Sequence, residues 1–336
     1  MHVALALIDR GQGRPRMNFQ QLRIIRETAR CNFNLTEVAS ALLTSQSGVS
    51  KHVKDLEDEL GIELFVRRGK RLLGLTDAGR EAVEIVERML LDAENLSQIA
   101  DRLSTGDQGA LKIATTHTQA RYTLPPIISK FKKAFPQVSL ALHQVSPKEI
   151  ASILLDGEID IGIATDTLDD NPRLITFPFR SWEHAVIVPK DHMLERVERL
   201  TLEAIAGWPI VTYDKGLTGR MRIDDAFASA GLTPQIAISA LDADVIKAYV
   251  ELGLGIGIIA SIAFDKKRDA GLRMLDCSHL FARSTSRLAV RRGRYLRRYV
   301  YGFIALCSPD LTEKVVRTAL HPPAEPRPLV HCRERA

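Results

Sequence analysis

Polar side chains that could hold a small ligand follow the short apolar segment LKIA, in the run TTHTQ at 115–119. The apolar segment predicts a buried strand, and TLPPIISKFKKAF after the polar run predicts a helix. A strand that ends before a helix N-terminus faces free N–H groups and the positive end of the helix dipole. Hydroxyl, amide and N–H groups there bind an oxyanion without burying a full positive charge, which is costly. The pattern predicts a site for an oxyanion-bearing ligand.

Similar side chains follow other predicted strands. Thr165 ends IDIGIAT, Ser146 follows VSLALHQV, and Thr218 lies in the glycine-bracketed turn YDKGLTGR. Ligands of α/β sheets bind outside the carboxyl ends of strands, so these positions are expected to converge. Helix capping or packing within strands is the alternative role for each of these side chains. The expected ligand contacts are Thr116, Thr118, Gln119, Ser146, Thr165 and Thr218, whereas His117 is as consistent with a structural role.

Catalytic and metal-binding patterns are not evident in the sequence. It contains no G-x-S-x-G elbow, no P-loop, no H-E-x-x-H and no identifiable acid–base carboxylate pair. The segment LGLGIGIIA (252–260) has a helix before its glycines and a strand after them, the reverse of a dinucleotide-binding loop. An enzyme that transforms a small metabolite in a hydroxyl-lined cleft stays open as a second hypothesis. Four scattered cysteines, none at metal-ligand spacing, are expected to be reduced: Cys31, Cys277, Cys307 and Cys332.

The elements that must position these residues alternate between short strands and helices past residue 109. Such alternation predicts βα units with parallel sheets, and the length suits two small α/β subdomains. The predicted strands are 110–115, 138–145, 159–165, 184–189, 209–213, 236–241, 255–260 and 287–292. The predicted helices are 124–135, 147–157, 201–207, 220–231, 242–253 and 296–308.

The first eighty residues have a different organisation. Residues 19–29, 35–44 and 44–61 have helical apolar spacing, with Thr36 expected to cap the second helix, Thr44 or Ser45 the third, and Gly61 to end it. The outward face of the third helix begins with hydrogen-bonding side chains and continues with lysines. This arrangement predicts a helix-turn-helix whose third helix reads base edges in the major groove. The expected DNA-reading residues are Ser45, Gln46, Ser50, Lys51 and Lys54.

A basic hairpin is predicted directly after these helices, at 64–76. Arg67, Arg68 and Lys70 surround its glycine and suit a wing lying on the phosphate backbone. A three-helix bundle with a solvated polar face is the alternative, and the basic hairpin at this distance argues against it. The net charge of +5 fits a nucleic-acid partner without requiring one.

A long helix is predicted from 76 to 104. Its apolar positions are spaced alternately by four and three residues, which is a heptad pattern: Ala82, Val86, Met89, Ala93, Leu96, Ala100 and Leu103. We interpret this helix as pairing with its counterpart in a second subunit, which would place two helix-turn-helix units on a symmetric DNA site. Packing on its own domain is the alternative.

The segments NFQQLR, TSQSGVSKHVKDLEDELGIELFVRRGK and LTDAG resemble the winged helix-turn-helix of LysR-type transcriptional regulators. ATTHTQARYTLP and ALDADVIKAYVELGLGIGIIAS are similar to the CysB-like branch, which regulates sulfur assimilation or alkanesulfonate use. The resemblance implies an α/β effector domain of two Rossmann-like subdomains resembling type 2 periplasmic binding proteins. It also implies effector contacts at Thr116, Thr118, Gln119, Thr165 and Thr218, with Trp182 nearby.

The resemblance further implies a non-enzymatic regulator without a cofactor. The expected effector is sulfate, thiosulfate, O-acetylserine, N-acetylserine or adenosine phosphosulfate. The expected partners are promoter DNA, further copies of the chain as a dimer of dimers, and RNA polymerase. The predicted domains are an extension at 1–16, the DNA-binding domain at 17–75, a linker helix and hinge at 76–108, the effector domain at 109–318 (subdomain I about 109–179 and 281–318, subdomain II about 180–280) and a flexible tail at 319–336.

Two further features bear on partners and compartment. No apolar run approaches the ~20 residues of a membrane span, and the basic residues of the N-terminus follow its apolar run, the reverse of a secretory signal. A cytoplasmic protein is therefore expected, and a transport-type binding protein, which needs export, is disfavoured. The stretch 283–298 holds seven arginines and no acidic residue. It is interpreted as a solvated subunit-contact face, with a second nucleic-acid surface as the alternative.

Overall fold

The computed structural model describes residues 17–69, 71–105, 108–165 and 168–321. The chain divides into two compact units between Ala100 and Asp101, within one long helix. In the described ranges no helix combines the length and apolar character needed to cross a bilayer.

The first unit is a helical domain with a hairpin. Its elements are α1 (Phe19–Arg30), α2 (Leu35–Ala41), α3 (Gln46–Leu60), β1 (Phe65–Arg68), β2 (Arg71–Leu75) and the first part of α4 (Asp77–Thr105). The α3 caps are as predicted, since Ser45 accepts a hydrogen bond from Gly48 N and Gly61 is left-handed with φ 70°. The expected cap of α2 is wrong: Asn34, not Thr36, accepts the N-terminal hydrogen bond. Asn34 lies before the helix, where an extended backbone lets its side chain reach back.

Helix α4 is shared between two environments. Val86 and Leu90 are buried in the core of the first unit, and Ala82 and Met89 pack against it. Packing on its own domain therefore accounts for the first part of the heptad pattern. Leu96, by contrast, is 69% exposed and Leu103 is 76% exposed. The exposed later positions are the ones that still fit a contact with another subunit.

The second unit contains two five-stranded sheets. The first has the order β4-β3-β5-β12-β6 and the second β11-β7-β10-β8-β9. The strands are β3 (Gly109–Thr115), β4 (Val138–Gln144), β5 (Ile161–Thr165), β6 (Leu174–Trp182), β7 (His184–Pro189), β8 (Ile210–Tyr213), β9 (Ile236–Ala240), β10 (Ile256–Ala260), β11 (Leu272–Asp276) and β12 (Ser284–Arg291). The helices are α5 (Leu124–Ala134), α6 (Pro147–Leu155), α7 (Leu202–Ala206), α8 (Thr218–Ser229), α9 (Ala243–Glu251), α10 (Arg298–Cys307) and α11 (Glu313–Leu320).

The expectation of parallel sheets is only partly right. In each sheet three strands are parallel, β4-β3-β5 and β9-β8-β10. The other strands, β12 and β6 in the first sheet and β7 and β11 in the second, pair antiparallel. These four strands carry the two crossings between the sheets, from β6 to β7 and from β11 to β12. Such crossings cannot be recognised from apolar periodicity, which is the same for both pairings.

Strands β6 and β11 and helix α11 were not predicted. Strand β6 contains Pro178 and a register shift opposite Ser286 and Arg287, and both features disrupt the alternation that marks a strand. Strand β11 lies at a sheet edge, and only Leu272 of its five residues is buried. Helix α11 overlaps the predicted tail, and its Leu320 is buried in the core of the first sheet. The domain therefore extends past 318.

The subdomain boundary also shifts. Strand β6 stays in the first sheet through Trp182, so the first crossing lies at 182–184 rather than at 179–180. The glycine-rich segment 252–260 has the predicted order of elements: α9 ends before its glycines, Gly253 adopts φ 74°, and β10 follows. At Gly255 an added Cβ would lie 2.3 Å from the Pro209 carbonyl oxygen. Close backbone approach, not nucleotide binding, explains that residue.

The interpretation of 283–298 as a solvated face is only partly right, since Arg283, Arg292 and Arg298 are exposed and the predicted strand forms, but other arginines are buried. Strand β12 lies inside the first sheet, between β5 and β6, and Arg291 and Arg297 are buried. Most of the other guanidinium groups bind acidic or carbonyl groups of the same unit. These contacts are Arg283 with Glu183, Arg287 with Asp169, Arg292 with the Pro172 carbonyl, and Arg294 with Asp160 and the Gly157 carbonyl. Their partners lie far away in sequence, so only the fold reveals them.

The cysteines in the described ranges are free thiols. Burial raises the pKa of both Cys277 and Cys307 to about 12, so these thiols are protonated at neutral pH. Cys332 lies outside the described residues, as do the predicted extension at 1–16 and most of the predicted tail.

Candidate effector cleft and DNA-reading helix

A cavity of about 500 Å³ lies between the two sheets of the second unit. Its walls come from the ends of strands in both sheets and from the first turns of the helices that follow them. All seven residues predicted to contact an effector line it: Thr116, Thr118, Gln119, Ser146, Thr165, Trp182 and Thr218. The structure thus brings together five separate segments of the chain, as expected for the carboxyl edges of α/β sheets.

The chain leaves β3 through Thr116 and enters a π-helical turn, Gln119–Thr123, which continues into α5. Single π-helical turns are rare and are frequent at functional sites. Thr118 stands at the start of this turn, and its side chain makes no capping hydrogen bond. The capping alternative therefore does not apply to Thr118, whose side chain instead hydrogen-bonds the Tyr213 hydroxyl at the cavity wall.

Gln119 is almost fully buried beside the cavity, with 2% of its surface exposed. Its Nε2 donates to the Ser286 hydroxyl of β12 at 2.7 Å. Its carbonyl oxygen Oε1 is buried and has no partner among the described residues. A buried polar atom without a partner is costly, so this amide is poised for an additional hydrogen bond.

Thr165 and Thr218 connect the two sheets across the cavity. The Thr218 hydroxyl donates to the Thr165 carbonyl at 3.3 Å, although the residues belong to different subdomains. Thr218 is also the first residue of α8, and the preceding Leu217 provides no side-chain cap. The start of α8 is therefore an uncapped helix N-terminus at the cavity wall, where N–H groups and the helix dipole favour an anion.

Ser146 has the helix-capping role that was the alternative to ligand contact. It caps α6 in a capping box with Glu149, and its hydroxyl donates to the Glu149 carboxylate at 2.7 Å. This hydrogen bond lowers the pKa of Glu149. Ser146 lines the cavity, but its hydroxyl is already engaged, so it is the weakest of the predicted ligand contacts.

Aromatic side chains form one wall. Trp182 is buried, and its indole Nε1 has no hydrogen-bond partner in the described part of the chain. Its ring contacts His184 edge-on at 5.1 Å, and His184 in turn packs 5.4 Å from Phe281. Burial lowers the pKa of His184 to about 4, so this imidazole is neutral at pH 7. Its Nε2 lies 3.1 Å from the Gly219 carbonyl, which orients the first turn of α8.

Several lining residues were missed. Tyr213 ends the predicted strand PIVTY, and its hydroxyl accepts a hydrogen bond from Ala260 N. Burial raises the Tyr213 pKa to about 12, so the phenol stays protonated. Asp242 caps α9 by accepting from Val245 N. Tyr213 directly ends a predicted strand, the signal that identified Thr165, and Asp242 lies two residues beyond β9. The sequence therefore held a usable indication.

His117, Asp242 and Asp244 lie close enough to hold a metal ion. Asp244 is already engaged, because it accepts from the Tyr122 hydroxyl at 2.6 Å and lies 3.3 Å from Lys247 Nζ. The Asp242 carboxylate serves as a helix cap. These contacts explain the cluster as structural, with His117 Nε2 4.0 Å from Asp244 at its edge.

The first unit presents the predicted DNA-reading residues on one face of α3. Val49, Val53 and Leu56 bury the opposite face in the helical core. Leu60, in the last turn of the helix, is 45% exposed. The predicted reading residues are all exposed: Ser45, Gln46, Ser50, Lys51 and Lys54.

The predicted wing forms as a two-stranded antiparallel hairpin, with Gly69 at φ 63° in its turn. Arg68 is exposed on this hairpin. Arg67 has a second role, because its Nη2 lies 2.5 Å from the buried carboxylate of Glu57. Glu57 also accepts from the backbone N–H groups of Leu64 and Phe65, so this contact anchors the hairpin to α3. Lys70 lies outside the described residues.

Comparison with known proteins supports both units. Residues 19–80 match the bacterial regulatory helix-turn-helix protein, lysR family, and residues 104–311 match the LysR substrate binding domain. The chain is 56% identical to the HTH-type transcriptional regulator SsuR of Burkholderia cenocepacia, over 88% of this chain and 96% of that protein. It is 48% identical to the regulator CysB of the same organism, over 92% and 99%.

A solved structure extends the comparison. The cofactor-binding domain of the Cbl transcriptional regulator matches with a TM-score of 0.62 and 48% identity, over 64% of this chain and 95% of that domain. The predicted fold class, a helix-turn-helix domain followed by a two-subdomain α/β effector domain, is confirmed. The enzyme hypothesis is wrong, because the matching families and relatives are transcriptional regulators. The chain belongs to the LysR family of DNA-binding transcriptional regulators, in its sulfur-related, CysB-like branch.

Proposed function

We propose that the protein regulates genes of sulfur assimilation or alkanesulfonate use in response to a small sulfur-pathway metabolite or oxyanion bound in the cleft. The observation that carries this proposal is the convergence of seven predicted hydroxyl, amide and indole side chains on one cavity. Among the described residues that line the cavity, none is a lysine or an arginine. Binding through neutral donors and a helix N-terminus favours a reversible sensor over a tight anion trap.

The hydrogen-bonding groups of the cavity wall set one requirement for the effector. The Trp182 indole N–H has no partner in the part of the chain that the structure describes, and α8 begins without a side-chain cap. These are donors, so at least one end of the effector offers acceptor oxygens. Sulfate, thiosulfate, an acetylserine carboxylate and adenosine phosphosulfate all satisfy this condition. The cavity volume of about 500 Å³ also admits molecules much larger than a tetrahedral oxyanion.

Ligand control of transcription follows from linkage. An effector that binds one arrangement of the subunits more tightly shifts the population toward it and changes how the DNA-reading helices are spaced. In this proposal the exposed part of α4 pairs subunits, and the assembly is a dimer of dimers that acts on RNA polymerase at cytoplasmic promoters. Gln46, Ser50 and Lys51 read bases, and Arg68 contacts phosphate.

The test is thermal unfolding of the full chain in sulfate, against chloride at matched ionic strength. A ligand at 100 times its dissociation constant stabilises the folded state by ~2.7 kcal/mol. We expect a saturable rise that Thr118→Ala abolishes and Thr285→Ala, a threonine away from the cavity, retains. If sulfate has no effect, the same measurement with thiosulfate and the acetylserines identifies the effector. A response equal in both variants would contradict the assignment of the cleft.

A further inference from the structure

Ser286 lies behind the cavity wall rather than in it. It belongs to β12, is fully buried, pairs with Thr165 of β5 in the first sheet, and contacts the amide of Gln119, 167 residues away. Gln119 Nε2 donates to its Oγ at 2.7 Å. Two hydrogen-bonding groups of this pair are left over in the described structure. The Gln119 carbonyl oxygen has no donor, and the Ser286 hydroxyl hydrogen has no acceptor.

The two leftover groups satisfy each other if the amide turns over. Rotation of the Gln119 amide by 180° places its oxygen against Ser286, whose hydroxyl then donates to it. The amide nitrogen takes the former position of the oxygen and requires an acceptor there. The serine can therefore support either orientation, and the group that meets the amide on its other side selects between them.

We propose that Ser286 is a positioning residue of the effector site, which holds the Gln119 carbonyl so that the amide N–H donates to an oxyanion of the bound effector. This inference rests on the proposed function and assigns the polarity of one wall of the same cleft. Because its hydroxyl serves equally as donor and acceptor, Ser286 lets a neutral glutamine bind an anion without leaving its own oxygen unpaired.

Two donors at the cavity wall favour this orientation over the opposite one. The Trp182 indole nitrogen donates only, and it has no partner within the described ranges. The N-terminus of α8 at Thr218 also favours an anion. An effector group that satisfies these donors carries acceptor oxygens, and such a group matches an N–H, not a C=O, from Gln119.

The experiment measures the affinity of the full chain for sulfate by calorimetry, with chloride at matched ionic strength. Ser286→Ala removes the partner of the amide, and we expect affinity to fall by about ten- to a hundredfold, the range for a hydrogen bond to a charged group. Ser284→Ala is the matched control. Ser284 is on the same strand and equally buried, but its hydroxyl has no partner among the described residues, so its removal should leave sulfate affinity unchanged.

Gln119→Glu provides a second measurement, the pH dependence of sulfate affinity, which would not change if Gln119 and Ser286 had only a structural role. Its carboxylate accepts from Ser286 but offers the cavity only an acceptor, so sulfate binding is lost at neutral pH. Protonation gives that carboxyl an O–H donor, and sulfate binding should recover on acidification relative to the wild-type chain at the same pH. Unfolding of each variant without sulfate separates loss of fold from loss of binding.

Three negative results have different meanings. If the wild-type chain binds sulfate and Ser286→Ala binds it equally well, the positioning role is overturned and the proposed function stands. If the wild-type chain binds no sulfate but binds an amine or hydroxyl donor more tightly in Ser286→Ala, the polarity is reversed and the inference is overturned. A wild-type chain that binds none of the proposed effectors overturns the proposed function, and this assignment with it.

Discussion

The DNA-reading face and the effector cleft solve the problem of placing functional side chains in opposite ways. The DNA-reading face is local: Gln46, Ser50 and Lys54 lie on successive turns of α3 and are exposed. The cleft is non-local, and its residues come from segments between 116 and 260 with a support at Ser286. A local face needs only a stable helix, whereas a non-local cleft needs both sheets to be formed and correctly placed relative to each other.

The two regions also use charge differently. The DNA face exposes cations such as Lys51 and Arg68, which attract phosphate at a distance. The cleft offers neutral donors, and its two lining carboxylates, Glu149 and Asp242, take part in helix capping. Lys247 is buried against Asp269 at 3.0 Å and contacts the Tyr122 hydroxyl at 2.9 Å. Since Tyr122 belongs to the π-helical turn of the first subdomain, this network supports the effector-facing turn from the second subdomain.

The largest expected effect breaks that support. Asp269→Ala leaves Lys247 buried with only the half-exposed Asp244, 3.3 Å away, as its acidic partner. Loss of one member of a buried ion pair destabilises by ~3 kcal/mol or more. Urea unfolding of the full chain measures the change, and the exposed Asp170→Ala is the control. A loss under ~1 kcal/mol would mean that the pair is not a support.

A second prediction concerns the pH dependence of unfolding stability that His184, which packs against Trp182 of the cleft, should cause. Because burial lowers the pKa of His184 from 6.5 to about 4, the unfolded chain binds a proton in this interval that the folded chain does not. Stability therefore falls as pH falls from 6.5 to 4, by about 3 kcal/mol in total. Unfolding of His184→Gln across this range should lack that contribution. The same range measured with His143→Gln, an exposed histidine, should retain it.

A third prediction concerns the DNA face. Gln46→Ala should reduce the preference for the target sequence by ~1–3 kcal/mol if the amide contacts a base bidentately. Effector affinity should stay unchanged, because the cleft shares no residue with α3. Competition binding with specific and scrambled duplexes gives the preference. Unchanged affinity and unchanged preference would show that α3 does not read bases through Gln46.

The smallest expected effect is that of Arg68→Ala, which tests contact with the DNA phosphates rather than recognition of bases. Arg68→Ala should weaken binding to all sequences alike and reduce the slope of log affinity against log salt by about 1. Arg67→Ala is the informative comparison, since Arg67 is also tied to buried Glu57. It should lower unfolding stability as well, and Arg68→Ala should not. A sequence-selective loss in Arg68→Ala would contradict a pure backbone role.

The sequence indicated the effector side chains better than the framework that gathers them. Thr165 and Thr218 could be selected because strand ends before helices are recognisable from periodicity and glycine placement. Strands β6 and β11 could not, because Pro178, a bulge and an edge position remove the alternation. The arginines of 283–298 were partly misread since their acidic partners, Asp160 and Asp169, lie more than a hundred residues away.

The sequence by itself determined what depends on neighbouring residues. It placed the helix-turn-helix, the Ser45 and Gly61 boundaries of α3, the basic hairpin and the family, because caps, helical spacing and contiguous segments are local properties. Tertiary structure alone decided the antiparallel crossings, the burial of Lys247 with Asp269 and the contact of Gln119 with Ser286. Those features depend on which distant strands become neighbours, and hydrophobic patterning does not encode that choice residue by residue.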